Sequence, residues 1–220
     1  MVRLDASDPW IRWDWVGSHT DRILAALGQH VELTVIAVGA GIVVAAPVGI
    51  LAWRHRGSRG PVLAVAGALY TIPSLALFAL MVPYTGISEV TALVPLTGYN
   101  VLILLRNVIV GLEEVPKDVL DAADGMGYRP FARLLQVELP LALPAMLAGL
   151  RVATVSTIGI VTIAWVIDLG GLGELIYQGF IESFRTPLTV GMVLCVALAL
   201  AADLLIAGVQ RILTPWARSG

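Results

Sequence analysis

Five stretches of this chain are too long and too apolar for the interior of a soluble domain. Crossing roughly 30 Å of hydrocarbon takes about 20 consecutive apolar residues in helical form. Runs of that kind lie at 33–53, 61–83, 90–112, 141–167 and 186–210. The first two hold no charge; the others hold one each, Arg106, Arg151 and Asp203. The pattern predicts an all-α integral membrane protein of about five transmembrane helices over 31–213, with tails at 1–30 and 214–220. Composition agrees. The chain is 58% hydrophobic and 14% charged, against about 25% charged in soluble domains. That excludes a disordered chain and a disulfide scaffold. A net charge of −2 leaves no basic surface for nucleic acid. Cys195 is the single cysteine, so no internal disulfide forms.

Arg and Lys placement orients the spans. One set of connections holds Arg54, Arg56, Arg59, Lys117, Arg129, Arg133, Arg211 and Arg218. The other holds Arg185 and, in the tail, Arg3, Arg12 and Arg22. The excess makes the first set cytoplasmic, the N-terminus external and the C-terminus internal. The tail lacks the basic start and short apolar core of a secretory signal. Its Trp10, Trp13 and Trp15 read as an interfacial segment, and Trp53, Trp165 and Trp216 as aromatic-belt anchors.

The stretch 113–140 is the one long polar interruption between spans, and it falls on the cytoplasmic side. It reads EEVPKDVLDAADGMGYRPFARLLQVELP. Glu113, Glu114 and Pro116 suit a helix start. Val115, Val119, Leu120 and Ala123 form an apolar stripe. Gly125 and Gly127 stop that helix, Pro130 permits a second one over 131–136, and Pro140 and Pro144 mark re-entry into the membrane. A helical hairpin outside the bilayer results. It suits a mechanical coupling element gripped by a soluble partner, and it equally suits a loop that is merely helical.

The hairpin also carries a resemblance. Binding-protein-dependent ABC importers have permeases with the pattern Glu-Ala-Ala, three residues, Gly, nine residues, Ile, one residue, Leu-Pro. This chain has Asp121-Ala122-Ala123, Gly127, Val137 and Leu139-Pro140 at those spacings, with Asp for Glu and Val for Ile. Further stretches resemble the permeases for quaternary-ammonium osmoprotectants. They are Ile72-Pro73-Ser74-Leu75-Ala76-Leu77, Leu105-Arg106-Asn107, Gly125-Met126-Gly127, the run Val137 to Pro144, and Gly170-Gly171-Leu172-Gly173. The similarity covers roughly 33–213.

The resemblance implies a type I ABC importer permease fold in a bacterial inner membrane. It implies a pathway for glycine betaine, choline, carnitine or proline betaine. It also implies three partners: a second permease chain, the same or homologous; a cytoplasmic ATPase dimer that grips the hairpin; and an extracytoplasmic solute-binding protein. The chain has no Gly-x-x-x-x-Gly-Lys-Ser/Thr loop, so ATP and Mg belong to the partner ATPase and no cofactor is expected here. Asp121, Ala122, Ala123, Gly127, Val137, Leu139 and Pro140 would be the coupling residues.

Ionisable residues at membrane depth are functional candidates. Arg151 lies 11 residues past Pro140, roughly 16 Å along a helix, and Asp203 lies 8 residues before Arg211, roughly 12 Å. Both fall in the inner half of the membrane, where they either pair or, respectively, snorkel and face a watery cavity. Arg106 either snorkels or joins a cytoplasmic gate with Asn107. Tyr70, Phe78, Tyr84 and Tyr99 are packing residues or cation–π candidates. Pro73 should kink the second span, with Thr71 and Ser74 satisfying the freed backbone groups. The segment from Gly170 to Phe184 reads as a turn and a short amphipathic helix on the outer face, either with Leu175, Ile176, Phe180 and Phe184 against the membrane or as an outer gate and docking surface for the binding protein.

Three rival readings share these features. An amino-acid importer permease, for methionine for example, would carry the same hairpin. A channel or scaffold without an ATPase would not need it. A membrane enzyme would need a site, and His19, His30 and His55 are too dispersed for a metal.

Overall fold

The computed structural model describes residues 9–218. Arg3 of the tail therefore lies outside the described residues, as does the side chain of Arg218. The elements follow the apolar runs; most helices extend past the runs, but the helix of the 141–167 run stops at Val161 and the 61–83 run is divided between two helices. They are α1 (Trp13–Ser18), α2 (Thr20–Arg54), α3 (Arg56–Thr71), α4 (Ser74–Thr85), α5 (Glu89–Glu113), α6 (Lys117–Gly125), α7 (Pro130–Arg133), α8 (Leu139–Val161), α9 (Gly171–Ile181) and α10 (Arg185–Leu213). A π turn over Leu134–Glu138 joins α7 to α8, and a 3₁₀ turn over Ala164–Ile167 follows α8.

Four stretches are long and apolar enough to cross a membrane: α2, the run Pro130–Val161, α5 and α10. A fifth span exists if α3 and α4 count together. Here the kink expected at Pro73 is a complete break. Ile72 leaves the helix, and Pro73 is extended at φ −57°, ψ 133°. The residue before a proline is driven out of the α region, which ends α3 at that point. Thr71 Oγ1 donates to Ala68 O at 2.7 Å and so satisfies the last turn. Ser74 opens α4 without a capping bond, so only one of the two expected compensations forms.

The chain forms two contact units, one of residues 1–39, 72–97 and 154–202, the other of residues 40–71, 98–153 and 203–220. In the first, Leu33, Ala37, Phe78, Leu96, Val161 and Ile167 form a core of α2, α4, α5 and the end of α8. A second cluster joins Ile23 and Ala26 of α2 to Leu172 and Leu175 of α9. Leu175 is thus fully buried rather than lying against lipid. Gly170 and Gly171 have φ +52° and +67°, and the turn they make aims the start of α9 inward. Phe180 remains exposed, as expected. Gly173 is pressed against the Thr162 carbonyl, where no Cβ fits.

The N-terminus of α9 has orphan N–H groups, as every helix start does. Two side chains of α2 accept them. Gly171 N–H donates to Gln29 Oε1 at 3.0 Å, and Leu172 N–H to His30 Nδ1 at 3.3 Å. His30 is fully buried, and its Nε2–H donates to Ile158 O at 3.0 Å. Both ring nitrogens are satisfied only by the neutral Nε2–H tautomer. His30→Leu orphans the buried Leu172 N–H, at about 1–3 kcal/mol, and takes one of its donors from Ile158 O, which keeps the Cys195 thiol at 4.0 Å. We expect a lower thermal midpoint for that variant in detergent and a milder loss for His30→Gln. An unchanged midpoint for His30→Leu would contradict this account.

The tryptophans near the start are partly engaged. The Arg185 guanidinium stands 5.1 Å from the Trp10 ring centroid, and Trp15 stacks on His19 at 4.3 Å. Trp13 is exposed. Residues 20–32, read as largely tail from hydropathy, are the first turns of α2.

The second unit contains the hairpin. Ala45, Ala66, Leu102, Leu105, Ile109 and Ala153 pack α2, α3, α5 and α8 together. Val108, Leu112, Leu134 and Ala142 carry that packing to the hairpin's base. The described basic residues Arg54, Arg56, Arg59, Lys117, Arg129, Arg133 and Arg211 all belong to this unit, while Arg12, Arg22 and Arg185 belong to the other. Apolar side chains of α10, among them Val193, Val196, Leu200 and Leu204, are exposed. That is how a helix bordering lipid or another membrane chain looks.

Candidate functional site

Glu113 ends α5, and Pro116 caps α6 in an extended conformation. Pro116 suits that place because its fixed φ leads into the first turn. The α6 stripe buries Ala123, while Asp121 and Ala122 face outward. The helix ends in a complete Schellman motif. Gly127 N–H donates to Asp124 O at 3.0 Å, and Tyr128 N–H to Ala123 O at 3.1 Å. Gly127 has φ +79°, the left-handed region that the motif requires. A Cβ there would meet no described atom within 4 Å beyond its chain neighbours. The space beside Gly127 is open among the described residues.

The second arm differs from expectation. It is not a separate helix ending before Pro140. Helix α7, the π turn and α8 run on from Pro130 to Val161. Leu139 N–H donates to Leu134 O, five residues back. Proline lacks a donor and crowds the carbonyl four residues earlier; the wider turn accommodates Pro140 without ending the helix. Val137 and Leu139 are half-buried around it.

Sequence reasoning missed the brace across the hairpin. Arg133 Nη1 donates to Asp124 Oδ1 at 2.6 Å, and its Nε donates to Glu138 Oε1 at 2.7 Å. One guanidinium thereby ties the end of α6 to the start of α8. Glu138 is 1% exposed, so Arg133 also supplies the countercharge this buried carboxylate needs. Arg59 braces the neighbouring corner. It pairs with Glu113 and donates to the last carbonyls of α2, Ala52 O at 3.2 Å and Trp53 O at 2.8 Å. At the tip, Met126 is 70% and Phe131 67% exposed.

Arg151 and Asp203 meet. Arg151 Nε and Nη2 donate to the two Asp203 oxygens, both at 2.8 Å, a bidentate bond between α8 and α10. Asn107 turns back on its own helix, donating to Ile103 O at 2.8 Å, and its side chain fills the space beside Gly149. Arg106 is exposed and makes no ion pair among the described residues. Tyr70 and Tyr99 meet edge to face at 5.5 Å, with Tyr99 buried and Tyr70 exposed. No group of three or more His, Cys, Asp or Glu able to hold a metal occurs among the described residues.

The chain belongs to the family of binding-protein-dependent transport system inner membrane components, whose model matches residues 37–219. It is therefore a multi-pass component of a bacterial inner membrane. It is 38% identical over 192 residues to the osmoprotectant import permease protein OsmW of Salmonella typhimurium, covering 85% of this chain and 89% of that one. It is 36% identical over 193 residues to the glycine betaine/carnitine/choline transport system permease protein OpuCB of Bacillus subtilis, covering 88% and 89%. Among solved structures, a chain of the inward-facing MetNI methionine ABC transporter matches with TM-score 0.77 at 23% identity, over 87% of this chain and 96% of that one. That likeness establishes the type I importer permease fold.

Proposed function

We propose that this chain is one of a pair of permeases in an ATP-driven importer for quaternary-ammonium osmoprotectants: glycine betaine, choline, carnitine or proline betaine. The relatives named for those solutes align over nearly the whole chain and support the solute class. The observation that carries the mechanism is the hairpin. It is stiffened by Arg133, continuous with a membrane helix, and presents an open glycine turn between exposed Met126 and Phe131.

In this reading a cytoplasmic ATPase dimer grips residues 113–140, with Asp121, Ala122 and Gly127 nearest to it, while Ala123, buried in this chain, seats α6 on its own core instead of touching the partner. Val137, Leu139 and Pro140 join the hairpin to α8. ATP and Mg are bound and used by the ATPase, and this chain performs no chemistry. Closure of the ATPase dimer displaces the hairpin, and the brace passes that displacement into α8. An extracytoplasmic binding protein delivers solute to the opposite side. The hairpin side is cytoplasmic, with the N-terminus outside and the C-terminus inside; the basic residues gathered in the hairpin's unit favour this orientation. The pathway candidates are Tyr70, Pro73, Ser74, Arg106, Asn107, Arg151 and Asp203. The Tyr70–Tyr99 pair offers a ring face for a quaternary cation.

The test is ATP-driven uptake into proteoliposomes containing this chain, its permease partner, ATPase and binding protein. We expect uptake of labelled glycine betaine or choline and none of methionine. Uptake of methionine alone would keep an importer and overturn the solute class. ATP-independent flux would instead make the chain a channel.

A further inference from the structure

The corner between α2 and α3 carries two neighbouring concavities of opposite character. One is a groove of about 340 Å³ with only aliphatic walls, among them Val44, Val48, Val62, Val65 and Leu69. The other is a cavity of about 180 Å³ lined by Trp53, Arg54, Arg56, Arg59, Arg133 and Glu138. They adjoin along both helices. Val48 precedes Trp53 by five residues on α2, and Pro61, which also lines the groove, follows Arg59 by two on α3.

The charges around the smaller cavity do not balance. Arg59 is committed to Glu113, and Arg133 to Asp124 and Glu138. Arg54 and Arg56 are exposed and form no ion pair among the described residues. Two guanidinium groups are thus left over at the membrane end of an apolar groove, beside a tryptophan of the kind that marks the headgroup level.

We propose that this corner binds one anionic phospholipid of the leaflet on the hairpin's side. Its phosphate sits among Arg54, Arg56 and Arg59, and one acyl chain lies along α3 from Pro61 to Leu69, roughly 12 Å of helix. Arginine suits a phosphate because its planar fork donates two parallel bonds. A free anion would use the cavity and gain nothing from the groove. A zwitterionic lipid would fill the groove but set its own cation against the arginines. The proposal needs only a membrane protein; it stands whatever solute is carried.

The test uses the assembled importer in detergent, titrated with phosphatidylglycerol or phosphatidylcholine and followed by native mass spectrometry. We expect phosphatidylglycerol to bind in clear preference. Arg54→Gln with Arg56→Gln should weaken it by roughly 30-fold, leaving phosphatidylcholine unchanged. Val65→Trp, which fills the groove and leaves every charge, should also weaken phosphatidylglycerol. Both arginines are exposed and unpaired, so the complex should assemble without them. The lipid preference of the unaltered complex is an independent check. Equal binding of the two lipids would overturn the proposal. So would indifference to the arginine changes, or full competition by inorganic phosphate together with indifference to Val65→Trp, which would mark a free-anion site. Binding to the isolated chain that vanishes in the complex would assign the corner to a partner subunit.

Discussion

Gly127→Asp should leave the protein inserted and assembled while transport falls by an order of magnitude or more and ATP hydrolysis loses its dependence on the binding protein. Two effects are combined in that substitution. An L-residue in the left-handed region costs roughly 1–2 kcal/mol, less for Asp and Asn. A side chain also enters the open space beside the turn, where this chain offers no obstacle. Gly127→Asn separates the two, because it tolerates the positive φ and adds a side chain without charge. If the space belongs to an ATPase, Asn should uncouple nearly as well as Asp. If the glycine serves only the Schellman turn, Asn should transport almost normally, and a coupling role for this position would fall. Uptake and hydrolysis measured on the same proteoliposomes decide between these outcomes.

Reversing one charge of the Arg151–Asp203 pair should reduce folded yield on the order of tenfold, since a lone ionised group at membrane depth has no cheap solvent. Arg151→Asp leaves two carboxylates facing each other, and Asp203→Arg two guanidiniums. The double exchange should recover most of the yield, because the 2.8 Å contacts are between the two side chains alone. Size-exclusion profiles of the three variants provide the readout. No recovery in the double exchange would mean that each charge answers to its own surroundings. Transport by the recovered double variant then asks a separate question, whether the pair belongs to the pathway or only holds α8 to α10.

The apolar runs made the spans and the hairpin legible, and the charge within each of two runs offered the Arg151–Asp203 contact as one of two readings, which the structure decides in favour of pairing. What stayed hidden depended on geometry that hydropathy does not carry. Ile72 and Pro73 interrupt an uninterrupted apolar run, and hydropathy does not distinguish a kinked helix from a broken one. Nothing local in the sequence marks Gln29 and His30 as caps for a helix some 140 residues later. Arg133 and Glu138 stand five apart. The α-helical pairing rule looks three or four residues away, so their contact became visible only with the π turn between them. Leu175 reads as part of an amphipathic face, yet the two positive-φ glycines at the start of α9, Gly170 and Gly171, turn that face inward.

That π turn has a geometric corollary. Each residue of an α-helix advances the chain by about 100° around its axis, so one residue more in a single turn shifts the phase of everything before it relative to everything after. The azimuth at which Phe131 and the glycine turn project from α8 is set by this single surplus residue between Leu134 and Glu138. Deleting Leu135 or Gln136 would keep every residue named for coupling and both partners of the Arg133 brace, but would aim the tip at a different compass point around the same shaft.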